Sequence, residues 1–505
     1  PSSHPPPGPD APARGPDAPA RGLRSGAIVL VTAAPPANLE LMERSTQRLV
    51  LVAVTATGFL TAFVMSGVNV ALEQIASELK LSAVTISWVT LSTILTTGAL
   101  LMPMARVADF RGRMFVYNVG LAGFAVFCLA SALATNAAVL ILTRALQGVA
   151  AALLFSTTVA MVTLSQPPET RGRALGLQVS GVYLGLTLGP VLGGIITENL
   201  GWRGLFIVVG ALSLLNLVAP LRKLRGLEWR EPKTAPFDIW GSIMWVFALS
   251  ALIIGFSYLP GVAGYVLVAA GVLWLAGFVR LERRAPDPIL NVDLLRHNRV
   301  FAFSNAALFI NYSATSAMTF LISLYLLYNR GLTAQTAGLL LVTGPFFQSA
   351  VSPFAGRLAD RVEARLVAAV GMAFCVAGLF TFAFLEETTP YWQVMIVLGI
   401  LGLGFGLFSS PIIHTVMGSV DRRYVGVAAA TSSTMRVSGQ SFSMGIAALV
   451  LAVVAGRHEI SASDHVNLLT SIRITFLIFG VLCVLGVAAA LVGPGRRRPT
   501  SDAGQ

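Results

Sequence analysis

Residues 173–198 read RALGLQVSGVYLGLTLGPVLGGIITE, with no charged side chain between Arg173 and Glu198. As an α-helix this stretch is about 39 Å long, which exceeds the roughly 30 Å of a bilayer's hydrocarbon core. A lone strand cannot satisfy its backbone hydrogen bonds in lipid, whereas a helix satisfies them internally. The stretch therefore predicts a transmembrane helix, and it sets the scale for interpreting the rest of the chain.

Apolar stretches of this kind recur along almost the whole sequence, separated by short polar segments. Pro260 and Gly261 favour a tight turn that divides one long apolar region into two spans. The predicted fold class is an all-α membrane protein with fourteen transmembrane helices. The predicted spans are 49–72, 86–107, 114–134, 138–164, 173–198, 204–221, 238–258, 262–280, 300–327, 335–357, 365–385, 392–417, 426–454 and 470–492.

The composition excludes a soluble protein. Of the 505 residues, 55% are hydrophobic and 11% are charged, whereas soluble domains carry roughly 25% charged residues. Disorder is excluded for most of the chain by the same apolar content. In a soluble protein the net charge of +12 would indicate a nucleic-acid partner, but in a membrane protein cations collect in cytoplasmic loops.

The cations alternate between the loops as this rule requires. One set of loops holds most of them, including those at 106–113, 222–233, 280–299 and 357–365. This asymmetry predicts a multi-pass protein of the plasma or inner membrane with both termini cytoplasmic. The opposite loops hold only Lys80, Arg203, Arg330 and Arg457.

Two segments of the chain repeat each other. Residues 105–113 read ARVADFRGR and residues 356–365 read GRLADRVEAR, so that Asp109 and Asp360 occupy the same place. Repeated halves are the usual build of secondary transporters, whose site lies at midplane between them. We therefore predict a disordered Pro/Ala-rich tail, an N-terminal six-helix bundle, two inserted helices, a C-terminal six-helix bundle and a cytoplasmic tail, over 1–45, 46–225, 226–298, 299–494 and 495–505.

Three motifs give the chain a family resemblance over residues 48–492. The 105–113 loop, Arg144-Ala-Leu-Gln147-Gly148, and the glycines of the 173–198 stretch are similar to motifs A, B and C of the major facilitator superfamily. Ala105 and Phe110 depart from motif A. The chain most resembles the fourteen-helix drug:proton antiporter branch. Its motif C positions are Gly176, Gly185, Gly189, Pro190, Gly193 and Gly194.

The resemblance implies a secondary active transporter that exports small organic molecules by proton-coupled alternating access. It assigns gating to Asp109, Gly112, Arg113 and Asp360, and proton coupling or helix positioning to Arg144, Gln147 and Gly148. Each role has a plainer alternative: a loop ion pair for Asp109, a structural arginine bonded to backbone carbonyls for Arg144, and close helix packing for the glycines.

Polar residues near the middle of the predicted spans are candidates for a substrate pocket. Helix–helix hydrogen bonds explain such residues equally well, and a single histidine is most often structural. The candidates are Asn69, Gln178, Tyr183, Asn311, Tyr312, Gln348, His414, Arg436 and Gln440.

The charge of this pocket bears on the substrate. The antiporter branch commonly has an aspartate before Asn69-Val-Ala-Leu72, where this chain has Val64. With Arg144 and Arg436 remaining, we expect a net positive cavity that suits neutral or anionic substrates better than cationic ones.

No motif in the sequence predicts an enzyme. Gly402, Gly404 and Gly406 lie inside an apolar stretch, and neither a Walker motif nor zinc-ligand spacing occurs. We expect no cofactor, no metal and no nucleic acid, and we expect a monomer in the lipid bilayer whose partners are a small organic substrate and protons. A metabolite importer or facilitator of the same fold, or a non-transporting membrane sensor, remains an alternative.

Overall fold

The chain is almost entirely helical in the computed structural model, which describes residues 44–224, 229, 238–285, 290, 292–420, 425–456 and 465–491. The predicted N-terminal tail, up to residue 43, and the predicted tail 495–505 lie outside the described residues. The helices are α1 (Arg44–Leu79), α2 (Ala83–Arg111), α3 (Arg113–Ala132), α4 (Ala137–Ser165), α5 (Pro168–Lys223), α6 (Ile239–Tyr258), α7 (Val262–Glu282), α8 (Val292–His297), α9 (Arg299–Thr315), α10 (Met318–Leu324), α11 (Ala334–Leu341), α12 (Thr343–Arg361), α13 (Ala364–Phe382), α14 (Tyr391–Gly418), α15 (Val425–Val450) and α16 (His465–Leu491).

The part of the chain that the structure describes contains 13 helical segments that are long and apolar enough to cross a membrane. The all-α membrane fold predicted from the sequence is confirmed. One of the 13, within α5, is 55 residues long, which is far more than one crossing needs. Gly201 interrupts this helix with φ 72° and ψ 168°, so α5 contains two of the predicted spans.

Two predicted spans are less regular than expected. The 300–327 span divides into α9 and α10, because the Ala317 amide donates to Ser443 Oγ at 2.9 Å. The π-helical turn Tyr325–Asn329 then extends it. The 335–357 span divides at Val342, and Pro345 in the first turn of α12 has no amide to continue a helix from α11.

Polar caps mark where several helices begin. Ser82 Oγ accepts from the Thr85 amide at 3.2 Å, and Asn136 Oδ1 accepts from the Val139 amide at 3.0 Å. Each cap satisfies a backbone donor that the helix itself leaves free. Between α2 and α3 the chain turns at Gly112, whose φ of 105° favours glycine.

The helices pack in two groups. In the first, α1 contacts α5, and α3 contacts both α4 and α5; in the second, α14 contacts α12 and α13, and α16 contacts α9 and α13. α6 and α7 pack on each other, and α6 contacts α2 and α15. We call these groups the α1–α5 half and the α9–α16 half. The predicted domain boundaries stay a prediction.

The halves contact each other mainly through α5 with α11 and α2 with α15. To describe depth, we name the two ends of the bundle after the ends of α1. The Arg44 end carries the start of α1, and the Leu79 end carries its last residue and the turn into α2.

Candidate functional site

A cavity of ≈ 400 Å³ lies between the two halves at the middle of the bundle. We call it the central cavity. One wall comes from α1, α2, α4 and α5, and the other comes from α9, α10, α12, α14 and α15. Its volume is within the range of sites that take drug-sized molecules, roughly 300–1,000 Å³.

Six of the predicted pocket residues line the central cavity, two from the α1–α5 half and four from the α9–α16 half. They come from α5, α9, α12 and α15, so residues far apart in the sequence meet here. The remaining lining is apolar or carries hydroxyl groups, such as those of Thr61 and Ser66. The six are Gln178, Tyr183, Tyr312, Gln348, Arg436 and Gln440.

The lining of the central cavity combines aromatic rings with hydrogen-bonding side chains. The Tyr312 ring meets Phe405 edge-to-face, with ring centroids 5.1 Å apart. The Tyr312 hydroxyl lies next to the Arg436 guanidinium and near the Tyr183 hydroxyl on the opposite wall. A ligand held here would contact aromatic faces and hydrogen-bonding groups at the same time.

The structure does not bring the other three pocket candidates to the central cavity. Asn69 is buried at the α1–α2 contact, where its Oδ1 accepts from Thr90 at 3.5 Å. Asn311 is fully buried in the α9–α16 half beside Cys375. His414 lines a separate cavity of ≈ 370 Å³ toward the Arg44 end. The sequence shows that these residues are polar and lie in apolar helices, but it does not show whether each side chain faces the cavity or a neighbouring helix.

Arg144 is buried inside the α1–α5 half, with 1% of its surface exposed, and does not line the central cavity. Its Nε donates to the Val89 carbonyl at 3.0 Å, and its Nη1 donates to Gln147 Oε1. Its Cζ is 5.7 Å from the Phe206 ring centroid. The guanidinium therefore joins α2, α4 and the second span of α5 within one half.

Gly148 brings α2 and α4 together one turn after Arg144. A Cβ at Gly148 would be 2.0 Å from Thr96 Oγ1. The Thr97 hydroxyl donates to the Gly148 carbonyl at 3.1 Å. Arg144 and Gly148 thus both contact α2, whereas the Gln147 amide donates to Cys128 Sγ of α3 at 2.7 Å.

The motif A residues form the turn between α2 and α3 at the Arg44 end. Arg113 Nη2 is 2.8 Å from Asp109 Oδ1, and the two side chains are 15% and 24% exposed. Gly112 supplies the positive φ that the turn requires. In the second copy, α12 ends at Arg361, one residue after Asp360, and the side chain of Asp360 lies outside the described residues. Nearby, Arg365 Nε pairs with Glu363 Oε1 at 2.7 Å.

The motif C glycines lie where α5 crosses α1. A Cβ at Gly185 would be 2.4 Å from the Phe59 carbonyl, and one at Gly189 would be 1.9 Å from Ser66 Oγ. Gly193 approaches the Gly67 backbone in the same way. Gly176 differs from these, because a Cβ there would have no neighbour within 4 Å among the described residues. Close packing therefore explains most of the glycine spacing.

The same helix closes the Leu79 end against the other half. A Cβ at Gly194 would be 2.5 Å from the Ala334 carbonyl, and one at Gly338 would be 2.0 Å from the Pro190 carbonyl. The Gln335 amide donates to Glu198 Oε2 at 3.3 Å, and Ser323 Oγ donates to the Asn69 carbonyl. We call this contact between α1, α5, α10 and α11 the closing seam.

Sequence reasoning missed two parts of this arrangement. Gly338, opposite motif C, belongs to no motif and carries no local signal. A clamp at the Leu79 end was also missed: Arg203 Nη1 contacts Glu78 Oε1 at 2.5 Å, and Trp202 Nε1 donates to Glu78 Oε2 at 2.7 Å. The alternation of cations and acids across neighbouring loops is the signal that could have suggested this pair.

Val64, which replaces the aspartate common in the antiporter branch, is fully buried and does not line the central cavity. The residue at position 64 therefore does not set the charge of the central cavity, which depends on the side chains that line it. No group of three or more His, Cys, Asp or Glu side chains that could hold a metal ion occurs in the described ranges.

Comparisons with known proteins agree with the fold. A family model described as Major Facilitator Superfamily matches residues 54–444 and 305–505. The chain is 30% identical over 417 residues to the multidrug resistance protein Stp of Mycobacterium tuberculosis, covering 81% of this chain and 76% of Stp. It is 29% identical over 411 residues to the methylenomycin A resistance protein of Bacillus subtilis, covering 79% and 86%.

A solved structure has the same fold. It is the crystal structure of a bacterial homologue of the human lysosomal transporter Spinster, with a TM-score of 0.63 and 14% sequence identity. The match covers 89% of this chain and 97% of the solved chain. At this identity the likeness concerns the fold alone.

Proposed function

Since the chain belongs to the major facilitator superfamily, we propose that it exports small organic molecules as a proton-coupled antiporter of the fourteen-helix drug:proton branch. As a member of this family it is a multi-pass membrane transporter of small molecules and not an enzyme. The proposal places it in the cell membrane with both termini cytoplasmic, on the distribution of its loop cations.

The observation that carries the proposal is the position of the central cavity. It lies between the halves, and the closing seam lies between the cavity and the Leu79 end. A site at the interface of two repeated halves becomes accessible from alternate sides when the halves rock. In this scheme the Leu79 end faces outward, and the substrate enters from the Arg44 end.

The names of the relatives support export over import. Stp is named a multidrug resistance protein, and the Bacillus subtilis relative is named a methylenomycin A resistance protein. Resistance is the outcome expected of a transporter that lowers the cellular concentration of a toxic compound. We therefore propose that this chain moves organic compounds outward and that Asp109, Gly112, Arg113 and Asp360 act in the gate.

A toxicity screen in a host without its own pumps selects the compounds for a direct test. Everted membrane vesicles with an imposed, inside-acid pH gradient then report transport through a pH-sensitive dye. We expect compounds to which the protein gives resistance to dissipate the gradient. Accumulation of the same compounds by intact cells would instead support the importer alternative, and a lack of any movement would contradict transport.

A further inference from the structure

Arg436 is the only charged side chain among the described residues that line the central cavity. No carboxylate in the part of the chain that the structure describes lies within 4.0 Å of it. The residues facing Arg436 from the other elements are neutral, with the hydroxyls of Tyr312 and Tyr183 nearest. The cavity thus contains one positive charge and no compensating acid.

A cation in the middle of a membrane protein needs a partner. Placing an arginine at this depth is costly, and such residues normally pair with an acid, a carbonyl or water. The planar guanidinium offers paired donors that match the two oxygens of a carboxylate. An anionic ligand would supply the counter-charge that the protein itself lacks here.

Arg144 is a structural arginine of the same chain, and it provides a comparison for Arg436. Its donors go to the Val89 carbonyl and to Gln147, and it is 1% exposed. Arg436 is partly exposed, and it faces open space in the cavity. The sequence predicted both arginines in one cavity, but their surroundings differ. Because only Arg436 lines the central cavity, the charge of its described lining is +1.

The rest of the lining limits the ligand further. Gln440 lies one helical turn from Arg436 on α15, so its amide lies on the same face. Phe155, Phe405 and the two tyrosines supply aromatic surface around this polar region. A divalent anion would bring a second negative charge that no described lining residue neutralises.

We propose that the substrates of the central cavity are monovalent organic acids with an aromatic or otherwise apolar body, bound with their acid group on Arg436. This inference rests on the proposed export function, which it makes more specific. Cationic compounds are excluded from the cavity by the same charge. Tyr312 and Gln440 position the acid group through hydrogen bonds.

Binding to the purified full-length protein tests the inference without requiring transport. The probes are benzoate, 2-naphthoate and 9-anthroate, each paired with its neutral carboxamide and its methylammonium analogue. We expect at least one acid to bind about tenfold or more tightly than its amide, a difference of ~1.4 kcal/mol. The methylammonium analogues should bind more weakly than the amides.

Variants of Arg436 identify the group responsible. Arg436→Gln should remove the preference for the acid and leave amide binding, and Arg436→Lys should keep part of the preference. Arg222→Gln, a change at an exposed arginine of the Arg44 end, is the matched control and should keep the full preference. The amide affinity of each variant shows that its cavity is folded.

Acids and amides that bind equally to the wild type, or an acid preference that survives in Arg436→Gln, would overturn the inference. Transport of the same probes into everted vesicles distinguishes failure of this inference from failure of the proposed export function. If only the amides and amines are transported, export stands and the assignment of acids is wrong. If acids bind with the expected preference but no acid, amide or amine is transported, the binding inference stands and export is wrong.

Discussion

Gly338 on α11 contacts the Pro190 carbonyl of α5 so closely that a Cβ at position 338 would be 2.0 Å from the oxygen. This contact joins the two halves at the closing seam. Pro190 also lines the central cavity, so the seam begins where the cavity ends. The arrangement links motif C to closure of the Leu79 end through a residue on the other half.

Gly338→Ala should weaken the closing seam, because the added methyl group must push α11 away from α5. Overpacking of this kind costs about 1–3 kcal/mol, and the cost falls only on the state in which the seam is closed. Spin labels at Leu200 and Thr388, two exposed positions at the Leu79 end, would report the change as longer distances. The labelling background replaces the buried Cys128, Cys375 and Cys483.

Gly344→Ala is the control for this experiment. A Cβ at Gly344 would meet the Leu398 carbonyl at 3.6 Å, which is an ordinary contact. The distance distribution of this variant should match the wild type. Unchanged distances in Gly338→Ala would contradict the role of the seam.

Gly185→Ala and Gly176→Ala form a matched pair within motif C. A Cβ at Gly185 would be 2.4 Å from the Phe59 carbonyl, whereas a Cβ at Gly176 would meet nothing within 4 Å in the described structure. We expect Gly185→Ala to lose about 1–3 kcal/mol of stability and most efflux. Gly176→Ala should retain both, since alanine is the better helix former. The measurements are thermal unfolding and efflux. If Gly176→Ala lost as much stability and efflux as Gly185→Ala, close packing would not explain the motif.

Asp109→Asn should reduce efflux about tenfold while leaving the unfolding temperature nearly unchanged. The change removes the charge from the 2.8 Å pair with Arg113, and a partly exposed pair contributes about 0–1 kcal/mol to stability. Asp109→Glu, which keeps the charge, should restore part of the rate. An Asp109→Asn variant as active as the wild type would mean that the pair is an ordinary loop contact.

Arg144→Met should destabilise the α1–α5 half. The Val89 carbonyl and Gln147 Oε1 would each lose a buried donor, at about 1–3 kcal/mol apiece. The measurement is thermal unfolding of the purified protein together with its abundance in the membrane. The preference for acids over amides should survive in the folded fraction, in contrast to Arg436→Gln, and loss of that preference would place Arg144 at the ligand.

The sequence predicts the fold well because length and hydropathy alone decide which segments can cross a bilayer. The predicted 262–280 span, for example, corresponds to α7, Val262–Glu282. The break between α9 and α10 could not be predicted, since the Ser443 hydroxyl that accepts the Ala317 amide comes from α15. A contact between residues 126 positions apart leaves no local pattern.

The site was predicted less completely, for a related physical reason. A helix that is apolar all round has no period that tells which face meets which neighbour. Asn311 and Tyr312 are adjacent in the chain, yet only Tyr312 reaches the central cavity. For the same reason the sequence predicted that Arg144 and Arg436 share one cavity, although only Arg436 lines it. Gly338 could not be distinguished from any other glycine in an apolar helix.

The central claim is that the cavity between the halves carries the exported substrate. The most direct measurement is uptake of a compound from the toxicity screen by energised everted vesicles, comparing the wild type with Ser433→Trp, which fills the cavity beside Arg436. Val453→Trp, a change at an exposed position of α15's π-helical extension, is the control. We predict uptake by the wild type and the control and none by Ser433→Trp. Equal uptake by all three proteins would show that the substrate takes another route.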